Sequence, residues 1–179
     1  MKARRVKGID PARPLAENAE RIVRTRLDEL CGFMPAAADP AASTELHDMR
    51  IAAKRLRYAL EVTGPCFGAY AGAAVKHIRE LQDLLGDIHD CDVHLPETAA
   101  FLDELIEADV AAVAAGRAAP NRSAYAGLVA LQVRLRAERE LLFARFLMFW
   151  GELERKGFRA RLEYALSELA GDAIIPERP

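Results

Sequence analysis

Cysteine is scarce in this chain, and its three cysteines, Cys31, Cys66 and Cys91, are widely spaced and form no CxxC pair. An odd, scattered set of thiols argues against a disulfide framework and against a zinc ribbon, and suits a reducing compartment. Long apolar runs are absent as well. No stretch approaches the roughly 18 residues needed to cross a bilayer. The opening MKARRVKGIDPARP is basic but has no apolar run behind it, so it does not read as a secretory signal. A cytoplasmic location is expected by elimination. Alternating β-branched runs are missing, which leaves little material for strands. There is no glycine-rich phosphate loop, and Ser43, Ser123 and Ser167 have no neighbouring base in sequence, so no nucleophile constellation stands out. Cys91, between Asp90 and Asp92, sits where negative charge raises a thiol pKa, which makes it a poor nucleophile. An excess of either charge is lacking too. The net charge is −2 over 179 residues, so any anion site must come from local clustering.

What remains is helical. Apolar residues are 51% and charged residues 29% of the chain, enough for one substantial core and too hydrophobic for disorder. The composition, rich in Ala, Leu, Glu and Arg, predicts an all-α antiparallel bundle of about five to six helices in a single domain over 1–179, with flexible tails at 1–12 and 172–179. The first helix is expected over about Leu15 to Phe33 and the second over about Thr44 to Thr63, stopped by Gly64-Pro65. The third is expected over Tyr70 to Leu85, with Gly86 as a left-handed cap. Asp87 would open a fourth helix, which Pro96 would kink or restart. After a loop at Gly116 to Ser123, a long helix should run from about Ala124 to Lys156, end at Gly157, and give way to a last amphipathic helix carrying Phe158, Leu162, Leu166 and Leu169. On the long helix, Leu128, Leu135, Leu142 and Phe146 make one stripe, and Phe143, Leu147 and Trp150 a second. A helix apolar on several sides is either sandwiched or meets a partner chain.

The second helix carries the pattern of most interest. On a helix advancing about 100° per residue, Met49, Ala52, Ala53, Leu56, Ala59, Leu60 and Thr63 share one side. His47, Arg50, Lys54, Arg57 and Tyr58 fall on the other, and Arg55 lies beside them. Like charges at three- and four-residue steps repel, and interleaved carboxylates are the usual relief. Only Asp48 intervenes before Glu61, which leaves 47–57 with four cations against one anion. A solvated face is the ordinary meaning of a cationic run. Here the clean segregation and the missing counter-charges point to an external anion. Arg forks grip phosphate oxygens in pairs, Lys adds a compact charge, and His47 adds another when protonated. One group per helical turn of about 5.4 Å makes a ladder, suited to a linear polyanion. The third helix repeats the scheme, with Ala74, Ile78, Leu81 and Leu85 inward and Lys76 and Arg79 opposite.

These residues carry a resemblance. HDMRIAAKRLRYALEV, with His47, Arg50, Lys54, Arg55, Arg57 and Tyr58, resembles the signature helix of the CHAD family, the conserved histidine α-helical domain. IRELQDLLGDIHDCDV resembles the family's second motif through Arg79, Leu81, Gln82, Leu85, Gly86 and, after a turn, Asp90. The match is good over roughly 45–95. It implies a helical bundle that binds inorganic polyphosphate through its basic faces, with no catalysis, no cofactor and no metal. The residues so implied are His47, Arg50, Lys54, Arg55, Arg57, Lys76 and Arg79. The family has two such helical units, whereas this chain shows one motif set. Either its second half is degenerate, or two chains pair, with the aromatic helix Phe143 to Trp150 as the contact of a homodimer.

Two rival readings follow from the same residues. His47-Asp48 and His89-Asp90, with Asp92 and His94 nearby, are the residue types of a metal-dependent phosphohydrolase. Against this, cations surround His47, and Asp48 points about 100° away from it. The other reading is a helical protein-interaction module with no anion site. Nucleic acid would also suit a cationic ladder, but the acidic overall balance and the lack of interleaved aromatics weigh against it.

Overall fold

The computed structural model describes residues 2–168. It is all-α: five helices and three single 3₁₀ turns, with no strand among the described residues. The helices are α1 (Leu15–Cys31), α2 (Ser43–Thr63), α3 (Tyr70–Ala114), α4 (Tyr125–Arg155) and α5 (Phe158–Ser167). None of them is long and apolar enough to cross a membrane. The chain divides into two compact units, residues 2–85 with 146–168, and Gly86–Arg145. The expected C-terminal tail at 172–179, and Leu169 of the last stripe, lie outside the described residues.

In the first unit, the expected stripes become the core. Ala19, Val23, Leu27 and Leu30 of α1 are fully buried, as are Met49, Ala52, Ala53 and Leu56 of α2. Ala74, Ile78, Leu81 and Leu85 of α3 join them, with Phe146 of α4 and Leu162 and Leu166 of α5. α1 packs along α2. The basic N-terminal stretch is clipped to α1 from both ends. Asn18 and Asp10 exchange hydrogen bonds, Asp10 N–H to Asn18 Oδ1 at 3.0 Å and Asn18 Nδ2 to the Asp10 carbonyl at 2.8 Å. Farther along, the buried Glu29 carboxylate accepts from the Arg4 N–H and from Arg26 Nη1. A carboxylate this buried requires such partners, because an isolated charge would not be tolerated. Gly157, at φ +66°, supplies the left-handed joint between α4 and α5.

The break expected at Gly86 does not occur. α3 is one helix of 45 residues that includes both Gly86 and Pro96. Glycine costs about 1 kcal/mol inside a helix, and proline about 3 kcal/mol, because it removes the hydrogen bond to the Asp92 carbonyl and its ring crowds that carbonyl. The buried stripe explains why the helix carries on, since Leu85, Ile88 and Cys91 keep helical spacing across Gly86. The left-handed cap lies instead at Gly116, φ +74°. There the Arg117 N–H reaches the Ala112 carbonyl and the Gly116 N–H the Val113 carbonyl, each at 2.9 Å, which is a Schellman closure.

The second unit is the hairpin formed by 86–114 of α3 and 125–145 of α4. Its turn is held by Asp109, which is buried and accepts from Asn121 N–H, Asn121 Nδ2 and the Tyr125 hydroxyl at 3.0, 2.9 and 2.6 Å. Arg139 of α4 is paired with Asp92 of α3.

Candidate anion-binding face

The cationic row stands where the helical spacing puts it. α2 buries Leu46, Met49, Ala52, Ala53, Leu56, Leu60 and Thr63, which turns the 47, 50, 54 and 57 positions away from the core. Lys54 and Tyr58 are exposed, and His47, Arg50, Arg55 and Arg57 are half-buried. The side chains are therefore not a loose solvated fringe. Tyr58 organises two of them: Arg57 lies over its ring at 4.7 Å from the centroid, and Lys54 at 5.8 Å. Such contacts align cations and leave their N–H groups available to oxygen acceptors.

On α3, Arg79 comes beside the α2 row through Glu61. Glu61 Oε1 accepts a hydrogen bond from Arg79 Nη2 at 3.1 Å and stands 3.6 Å from Arg57 Nε. A single carboxylate oxygen thus joins the α2 row to the α3 row. Lys76, three residues before Arg79, is exposed on the same helix. His47 and Arg55 make further interactions within the chain. Arg55 is half-buried, as are His47, Arg50 and Arg57.

Buried polar atoms add a second signal. Arg50 Nε and Arg57 Nε are shielded from solvent without a hydrogen-bond partner, and so are His77 Nδ1 and Gln82 Oε1 on α3. Leaving a buried donor unsatisfied costs about 1–3 kcal/mol, so such atoms need an explanation. Arg57 Nε has the Glu61 carboxylate at 3.6 Å, whereas Arg50 Nε is left without a hydrogen-bond acceptor. His77 was not singled out from the sequence. It packs edge-on to Phe158 at 6.1 Å between ring centroids, and no spacing rule marks it.

The rival constellations fare differently. Among the described residues, no three of His, Cys, Asp and Glu come together in a way that could hold a metal ion. Burial pushes the Cys91 thiol up, with Glu138 and Asp92 adding to it. Burial does the same at Cys31 against the opposing charge of Arg159. Neither is primed as a nucleophile. The aromatic contact expected for a homodimer is corrected. Phe143, Phe146 and Trp150 are buried within the chain itself, Phe146 completely, so they are not available to a partner. Core packing claimed the rings, as it does most large aromatics at helical spacing.

The fold and the ladder define an all-α protein with a preformed cationic face. A family comparison agrees: the CHAD domain matches residues 2–99. The chain belongs to the CHAD family. No match is found among curated proteins or among solved structures.

Proposed function

We propose that this chain binds inorganic polyphosphate, or a closely similar phosphate-rich polyanion, on the α2–α3 face and does not turn it over. The observation that carries the reading is the row of Arg50, Lys54 and Arg57 along one face of α2, joined through Glu61 to Arg79 of α3. Phosphate oxygens satisfy such donors, and successive phosphates match groups spaced one helical turn apart. Membership of a family associated with polyphosphate binding supports the same ligand. Lys76 widens the face, and His47 adds charge when protonated. The protein would act in the cytoplasm, where polyphosphate granules form.

Titration with long-chain polyphosphate tests the reading, using the wild type and the triple reversal Arg50→Glu/Lys54→Glu/Arg57→Glu. Three cations replaced by three anions should cost at least about 4 kcal/mol, or 1000-fold in affinity. Equal affinities would end the proposal and favour the interaction-module reading. Incubation of the complex with divalent cations should release no orthophosphate, whereas steady release would restore the phosphohydrolase. DNA should compete for the face only at much higher phosphate concentration.

A further inference from the structure

α4 carries an apolar stripe that the fold of the single chain leaves uncovered. One side of the helix supplies the half-buried or buried positions 128, 132, 135, 139 and 142. On another side, Ala126, Ala130, Val133, Ala137, Leu141 and Ala144 recur at steps of four, three, four, four and three, and every one is exposed. Val133 is 60% and Leu141 63% exposed. This is the spacing of a coiled-coil seam, about 27 Å long, with small residues alternating with large ones. Alanines at 130, 137 and 144 let a second helix approach to about 8 Å, the close end of helix packing.

The charges flanking the seam identify the occupant. Arg134 and Glu138 lie along one edge, where they stand 3.8 Å apart within the helix, and Arg136 and Glu140 lie along the other. In an antiparallel pair of identical helices, each edge meets the same edge of its partner. For a twofold axis, the Arg134–Glu138 pair is centred on position 136 and the Arg136–Glu140 pair on position 138. Both centres fall within one residue of Ala137. One axis therefore brings Arg134 and Arg136 each within about 3 Å along the helix of a glutamate of the other copy, and the seam closes on the same axis. Ala137 meets Ala137 of the partner subunit, Val133 meets Leu141 of the partner subunit, and Ala130 meets Ala144 of the partner subunit.

We infer that α4 is the self-association surface of the protein: two copies pair antiparallel along Ala130–Ala144, with the twofold at Ala137. This contact is isologous and closes as a dimer. It replaces the buried aromatic face as the site of pairing and does not depend on the ligand of the α2–α3 face.

The test uses the full chain in sedimentation equilibrium at 1–100 μM. The wild type should be a dimer. Val133→Glu and Leu141→Glu, both at exposed positions and so compatible with folding, should each weaken dimerisation at least about 10-fold while far-ultraviolet circular dichroism stays unchanged. Arg134→Glu/Arg136→Glu should be monomeric alone, and so should Glu138→Arg/Glu140→Arg. Mixing the two should restore a dimer containing one of each. Under mild oxidation Ala137→Cys should cross-link to itself, which the wild type should not do. A wild-type monomer at 100 μM would overturn the inference and leave the seam to some other chain. A dimer untouched by Val133→Glu and by both charge variants would overturn it too, as would charge variants that stay monomeric when mixed.

Discussion

At the residue scale, Glu61 is the group that decides how the cationic face works. It holds Arg57 and Arg79 toward one oxygen, and it also repels any phosphate that approaches them. A solvent-accessible pair of this kind contributes about 0.2–1 kcal/mol, and ligand binding must give that up. Glu61→Gln removes the competitor without removing the side chain, so polyphosphate affinity should rise about threefold to fivefold. Calorimetric titration of the variant beside the wild type measures it. A drop in affinity would instead mean that Glu61 is needed to hold Arg57 in place. Helical spacing alone revealed the row His47, Arg50, Lys54 and Arg57, because it depends on one helix. The meeting of Arg57 with Arg79 at Glu61 was not legible. That depends on how α2 crosses α3, which periodicity does not encode. Shielded donors such as Arg50 Nε are invisible in sequence for the same reason.

At the scale of elements, the helix signals were read correctly for face and incorrectly for one boundary. Gly64, Gly157 and the 116–123 loop end helices where expected. Gly86 and Pro96 do not, because the apolar stripe continues across them and outweighs two local penalties. The left-handed position sits at Gly116, which makes a paired prediction possible. Gly116→Ala places a side chain at φ +74° and should cost about 1–2 kcal/mol. Gly127→Ala, inside α4 with open space around it, should stabilise by about 0.5–1 kcal/mol. Urea denaturation of the two variants checks both signs. Equal effects would mean that Gly116 is not in the left-handed state. The hairpin turn should also respond to alkali. The hydrogen bond to Asp109, with its negative charge, holds the Tyr125 phenol above its usual range. A raised folded-state pKa means stability that is complete below the unfolded value, about 10, and is lost as pH rises through the folded value. Thermal melting of Tyr125→Phe should therefore fall below that of the wild type at pH 8, and the gap should close above about pH 10. A constant gap would show that the hydroxyl, not its titration, is all that matters.

For the whole molecule, a net charge of −2 conceals strong segregation. Residues 47–57 carry four cations and one carboxylate, whereas 86–116 carry eight carboxylates and no Lys or Arg. Fold class and core followed from the sequence because both depend on periodicity within single helices. The division into two units did not, because α3 passes through both without a break in pattern. The segregation has a measurable consequence. If Arg50, Lys54, Arg57, Lys76 and Arg79 each neutralise one phosphate, binding releases about 3.5 condensed counterions, about 0.7 per contact for a single-stranded chain. Affinity for long polyphosphate should then fall on the order of 100-fold between 50 and 200 mM salt. Arg50→Ala should lower the slope of log affinity against log salt by about 0.7, and Lys76→Ala by a similar amount, since each removes one contact. Replacing Lys2 or Arg5 on the N-terminal stretch should leave the slope unchanged, because neither belongs to the face. Chains shorter than the ladder should show a smaller slope, reaching the full value once the polymer spans it. Affinity that ignored salt over this range would contradict a ladder of charge-assisted contacts, and with it the assignment of the face to a polyanion.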